Sequence, residues 1–185
     1  DDPIVVPIKD AMKGPGAVAR MLLEQADCTQ ERIDAVALLA SSLQHRFEHR
    51  PNKESFLLPV ITPDNNHRAL WLGGGGVGKS RTLQKVVEPL AVTFFGPNGY
   101  AATAQSNAAA QNLGARARTI HSANGLTLQD SLQTARLIPN TRAQQKLRRL
   151  TCSLGVDVTD EVGCVPAPLL HADALRKTYG RMHEH

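Results

Sequence analysis

Eight consecutive residues, Gly73-Gly74-Gly75-Gly76-Val77-Gly78-Lys79-Ser80, match the pattern G-x-x-x-x-G-K-[ST]. Glycine lets the backbone take positive φ and come close to an anion, so successive N–H groups can converge on a phosphate at the positive end of a helix. In that arrangement Lys79 faces the β- and γ-phosphates, the Ser80 hydroxyl is a ligand for Mg²⁺, and Arg81 follows on the same helix start. A second chemical element is Asp160-Glu161. Asp160 offers a carboxylate to the metal, and Glu161 can orient and deprotonate an attacking water. The plain alternatives are a flexible glycine linker and a solvated acidic turn. Linkers seldom sit between an apolar strand and an amphipathic helix, which favours the phosphate loop.

The flanking elements supply that context. Ala69-Leu70-Trp71-Leu72 is an apolar run leading into the glycines, and Leu83, Val86, Val87, Leu90, Ala91, Phe94 and Phe95 recur afterwards at helical spacing. Strand, loop and helix are therefore expected, with Pro89 kinking or shortening the helix because it removes a donor and clashes with the preceding turn. Residues 99–104 suit a second strand, 106–113 a second helix ended by Gly114, and 118–121 a third strand. A helix over 141–150, a β-branched strand over 155–159 and a helix over 168–179 complete the series. Asp157 and Thr159 alternate with Val156 and Val158, the pattern of a half-exposed strand. Alternating strands and helices predict an α/β fold with a parallel sheet flanked by helices.

Upstream, Ile33, Val36, Ala37, Ala40, Leu43 and Phe47 predict one amphipathic helix over 29–49 with Thr29 as N-cap. Residues 1–27, broken by prolines and a Gly14-Pro15-Gly16 turn, read as a peripheral, mainly helical arm with a helix over 17–25. The expected organisation is an arm and helix over 1–50, a connector over 51–67 that could hold an edge strand at 55–61, and an ATP-site domain over 68–185.

The 185 residues suit one domain of roughly 100–200 residues. A hydrophobic fraction of 42% with 14 glycines and 21% charge rules out wholesale disorder. Only 4 Phe, 2 Tyr and 1 Trp are present, too few for an aromatic stacking platform. The formal charge of +4 and a sequence pI of 9.2 are compatible with nucleic-acid contact. Three unclustered cysteines argue against a disulfide framework or a Cys-rich zinc site and for a reducing, intracellular setting. No apolar run approaches the roughly 18 residues of a membrane span. The opening Asp1-Asp2-Pro3 reads as the start of a piece cut from a longer protein.

Between the two chemical elements lie Ala102-Thr103-Ala104-Gln105-Ser106-Asn107-Ala108-Ala109-Ala110 and Thr119-Ile120-His121-Ser122. With the phosphate loop before them and Asp160-Glu161 after, they resemble superfamily one DNA helicases of the PIF (petite integration frequency) and RecD-like type. In that family an Ala-x-x-x-x-Ala-Ala stretch forms motif Ia and a Thr-x-His segment follows. The resemblance runs over about 29–180 and is carried mainly by 72–161.

The resemblance implies a RecA-like, P-loop NTPase domain. It implies that Lys79 and Ser80 bind ATP and Mg²⁺ as cofactors, that Asp160 and Glu161 form the acidic box, and that Thr103, Ser106, Asn107 and His121 face single-stranded DNA. It further implies an adenine-reading glutamine before the loop; Gln30 is the candidate, with Arg32 the alternative occupant of that place. The family's second RecA-like domain, its arginine finger and its motif III are expected to be missing from a chain ending at His185, so turnover by this piece alone should be negligible. The implied location is nucleus or mitochondrion in a eukaryote and cytoplasm otherwise, with no membrane partner. Two other readings stay open: a degenerate helicase module that binds nucleic acid without catalysis, and an unrelated P-loop enzyme such as a small-molecule kinase. The Arg142, Arg148 and Arg149 helix does not suit a kinase lid, and a solvated face is its plainer role.

Overall fold

The computed structural model describes residues 4–59, 69–72, 76–126 and 142–181. The chain divides into two units, Asp1–Tyr100 and Ala101–His185.

The first unit is helical. Its elements are α1 (Ile8–Ala11), α2 (Pro15–Gln25), α3 (Gln30–Glu48), α4 (Lys79–Thr82), a π-helical turn (Leu83–Val87) and α5 (Glu88–Phe95). Pro15 opens α2 at a position where its missing N–H costs nothing. The segment expected as a peripheral arm is instead core. Val18 and Leu22 of α2 are fully buried with Val36 and Leu43 of α3 and with Val86, Leu90 and Phe94. α2 packs against α3, the π-helical turn and α5, so its apolar stripe is buried rather than left in water. Phe47 meets Phe94 edge to face at 5.8 Å between ring centres.

Arg50 closes this unit beyond α3. Its guanidinium donates to the carbonyls of Phe47 (2.5 Å), Ser55 (2.7 Å) and Lys53 (3.0 Å) and lies 3.5 Å above the Phe47 ring. One buried cation thus satisfies a helix-end carbonyl and folds the following segment back. The expected edge strand at 55–61 does not form over its described part, 55–59; the remainder lies outside the described residues. Leu58 donates its N–H to the Phe94 carbonyl at 2.7 Å, and the Ser55 and Pro59 carbonyls accept from the Arg50 and Arg46 side chains. A single backbone bond makes no ladder.

Helix α4, the π-helical turn and α5 form one uninterrupted helical run from Lys79 to Phe95. Pro89 does not break it. The wider π turn ends at Val87, two residues before Pro89, where the ring crowds the preceding backbone and the missing N–H disrupts the bonding register.

The second unit is mixed α/β. Its elements are β1 (Tyr100–Ala104, whose first residue closes the first unit), α6 (Asn107–Leu113), β2 (Arg118–Thr119), α7 (Ile120–Asn124), α8 (Arg142–Thr151), β3 (Val156–Thr159), a 3₁₀ turn (Val162–Cys164) and α9 (Ala167–Arg181). The small parallel sheet has the order β2-β1-β3, with Thr103 opposite Arg118 and Ala104 opposite Thr119. Its helices follow the expected alternation. β3 has no fully buried residue, in keeping with its alternating sequence. Ile120, Leu126, Val165, Leu169 and Ala172 form an apolar cluster joining α7 to α9, and α8 packs on α9.

Two strand expectations are corrected. Residues 69–72 form no strand, with Leu70 66% and Leu72 85% exposed; four residues without a neighbouring ladder cannot satisfy their backbone as a strand. The third strand stops at Thr119, so His121 lies on a helix. The Thr119 hydroxyl accepts from the Ser122 N–H at 3.2 Å and starts α7 there.

Candidate functional site

Gly73, Gly74 and Gly75 lie outside the described residues. In the remainder of the loop, Gly76 has φ 74° and Gly78 φ 82°, with Val77 between them outside the left-handed region. This alternation is the one that turns successive N–H groups toward a common point and makes an anion nest. The left-handed φ of Gly78 favours glycine there, and the Arg32 guanidinium occupies the space beside it. A Cβ there would lie 2.5 Å from Nη2 and 2.6 Å from Cζ of Arg32.

The chain enters α4 directly after Gly78. Lys79 and Ser80 form its first turn, half-buried, and Arg81 is exposed. Thr82 locks the entry from below, donating to the Gly78 carbonyl through both its N–H at 3.1 Å and its hydroxyl at 3.2 Å. Cys28 Sγ lies 4.0 Å from the same hydroxyl, which ties the turn between α2 and α3 to this corner.

Of the two residues weighed for reading the base, Arg32 is the one at the loop, where its guanidinium donates to the Val77 carbonyl. Gln30 is exposed and donates to Asp34 Oδ1 at 2.9 Å, one helical turn along α3.

The acidic pair sits in the second unit at the end of β3. The Asp160 N–H donates to the Thr103 carbonyl at 2.9 Å, and Asp160 Oδ1 accepts from the Glu161 N–H at 2.9 Å. Glu161 is exposed with φ 50°, ψ 40°. The left-handed region is unfavourable for a side chain with a Cβ, and such strain gathers at functional positions.

Thr103 is 1% exposed, and its hydroxyl lies 3.1 Å from Thr159 Oγ1 and 3.2 Å from the Val158 carbonyl. It binds strand to strand. The Ser106 hydroxyl caps α6, accepting from the Ala109 N–H at 3.1 Å. Asn107 is exposed and lines a surface groove of ≈ 490 Å³ with Gln111, Arg118, Thr119 and Ser122. His121 borders that region on α7, half-buried, its Nε2 atom without a hydrogen-bond partner among the described residues. Of the four residues assigned to DNA, then, Asn107 lies in the groove, Ser106 and His121 beside its elements, and Thr103 in the sheet interior. Arg118, Gln111 and Ser122 were not singled out from the sequence. They fall on short elements whose exposed side depends on how α6 turns back to β2.

A charged network behind β3 also escaped the sequence reading. Lys177 Nζ lies 2.6 Å from Asp157 Oδ2 and 2.8 Å from Asp173 Oδ2, while Asn124 donates to Asp173 Oδ1 at 2.5 Å and to the Ile120 carbonyl at 2.9 Å. Burial pulls the Lys177 ammonium down, but Asp157 and Asp173 together outweigh it and hold its pKa above the ordinary lysine value. The network ties β3, α7 and α9 together. The i,i+4 spacing of Asp173 and Lys177 was the available signal.

Among the described residues no cluster of three or more His, Cys, Asp or Glu could hold a metal by itself. In the first unit the Ser80 hydroxyl beside the loop suits Mg²⁺ brought in on phosphates, since that ion keeps most of its shell as water and phosphate oxygens. Among the described residues no helix is long and apolar enough to cross a membrane. The chain matches no protein-family model, no curated protein and no solved structure.

Proposed function

We propose that the chain is the ATP-binding half of an ATP-dependent DNA helicase of 5′-to-3′ polarity, an ATP hydrolase when joined to a second RecA-like domain. The observation that carries the reading is the pair of positive-φ glycines, Gly76 and Gly78, leading without a break into Lys79 and Ser80 at the head of a helical run. Bound ATP with Mg²⁺ supplies the phosphoanhydride whose hydrolysis drives the work. The loop N–H groups and the Lys79 ammonium would hold the phosphates and Ser80 would offer an oxygen ligand to the metal, while in the other unit Asp160 would supply a carboxylate and Glu161 a base for an attacking water. The groove bearing Asn107, Arg118, Thr119 and Ser122 offers a cation and hydroxyl and amide groups to a phosphate backbone without an aromatic platform.

The DNA half of the proposal is tested by titrating a labelled oligothymidine with the chain at increasing salt. Affinity should fall linearly on logarithmic axes with a slope set by the phosphates contacted. Absence of binding at low salt removes DNA from the account.

A second reading, a module that binds nucleic acid without catalysis, is favoured by the exposed, unpaired run before the loop. Comparing ATP hydrolysis by wild type and Glu161→Gln in a longer chain that carries the second RecA-like domain, in the presence of the oligonucleotide, separates the two. Hydrolysis lost in the variant supports the enzyme; equal rates support the binding module.

A further inference from the structure

We propose that Arg32 is a positioning residue that fixes the orientation of the peptide between Val77 and Gly78, so that the Gly78 N–H faces a bound phosphate. The inference deepens the nucleotide reading above and rests on it. The guanidinium donates to the Val77 carbonyl and lies along Gly78 where a side chain would otherwise be, its Nη2, Cζ and Nη1 atoms 2.5, 2.6 and 2.8 Å from the position of a Cβ. No cis peptide occurs among the described residues. In a planar trans peptide the carbonyl and the following N–H point in opposite directions. Holding the Val77 oxygen on the α3 side therefore turns the Gly78 N–H to the opposite side.

The alternation of φ at Gly76, Val77 and Gly78 makes that N–H one of the converging donors of the nest. A flipped peptide would place a carbonyl oxygen there and repel an anion. Gly78, which has no Cβ, eases such a flip in the bare loop, and the charge-assisted bond from Arg32 opposes it. The same positive charge polarises the peptide and strengthens its N–H as a donor. Arg32 is itself held by its place in the first turns of α3, whose Val36 and Leu43 are buried in the core of this unit. Thr82 acts on the next peptide, holding the Gly78 carbonyl with two hydrogen bonds. Two consecutive peptides are thus set by side chains outside the loop.

Acting through a backbone donor, Arg32 serves the phosphates and is indifferent to the base. The test measures Mg²⁺-dependent binding of ATP, GTP and inorganic tripolyphosphate by calorimetry to wild type, Arg32→Ala, Arg32→Lys and Lys79→Ala, with the unliganded melting temperature of each. Arg32→Ala is expected to weaken all three ligands by one common factor, about tenfold or more, at an unchanged melting temperature. Arg32→Lys should recover part of the loss, since it keeps the charge and loses the planar fork. Unchanged affinities in Arg32→Ala, with binding still lost in Lys79→Ala, overturn this inference and leave the nucleotide reading standing. Loss of ATP alone with tripolyphosphate retained also overturns it, because Arg32 then reads the base. Failure of wild type to bind any of the three overturns the nucleotide reading and this inference with it.

Discussion

In the unit Asp1–Tyr100 the candidate chemistry is carried by backbone, with two positive-φ glycines, a helix start, and Arg32 and Thr82 holding consecutive carbonyls. In the unit Ala101–His185 it is carried by side chains, and many of these are already engaged with one another. Thr103 binds β3, Ser106 caps α6, and Asp157 and Asp173 surround Lys177. A glycine pattern announces its geometry directly, because few residues tolerate positive φ. A polar side chain announces only that it needs a partner, and packing decides whether that partner is a ligand or the protein.

The largest expected effects probe the two cores. Lys177→Met leaves two carboxylates facing each other without their cation and should destabilise the second unit by about 3–5 kcal/mol in urea unfolding. A loss below 1 kcal/mol would mean the network is solvated and contributes little. Phe94→Ala in the first unit should cost a similar 3–5 kcal/mol or so through the cavity beside Phe47. The two differ in pH dependence. Because folding raises the Lys177 pKa, its stabilisation is fully present below the ordinary value of 10.5 and is lost as pH rises through the higher folded value. Wild-type stability should therefore fall steeply in strong alkali, and in Lys177→Met that component should be absent, whereas Phe94→Ala should keep it.

A smaller effect concerns Glu161. Replacing it with glycine relieves a left-handed backbone, so Glu161→Gly should stabilise the fold by about 1 kcal/mol while removing the proposed base. A destabilised variant would mean that the carboxylate makes a structural contact worth more than the strain.

Much of the secondary structure could be read from the sequence because local signals agreed there. Examples are the periodic stripe of α3, the Ser106 cap and Gly114 stop of α6, and the β-branched run of β3. The departures are positions where a partner decides. Residues 69–72 are apolar enough for a strand but have no ladder, and the N-terminal helices looked peripheral until α3 and α5 covered Val18 and Leu22. His121 became helical because Thr119 caps the next turn. The phosphate loop and the acidic pair were legible as motifs. The contact of Arg32 with Val77 was not, because 45 residues separate them in sequence.

The most direct test of the central claim is a titration of a fluorescent ATP analogue with Mg²⁺ into the chain and into Lys79→Ala, with Trp71, just before the loop, as a second reporter. The account predicts saturable binding by wild type that needs Mg²⁺ and is lost in the variant. Absence of saturable binding by a folded wild type, or equal binding by both proteins, would contradict it.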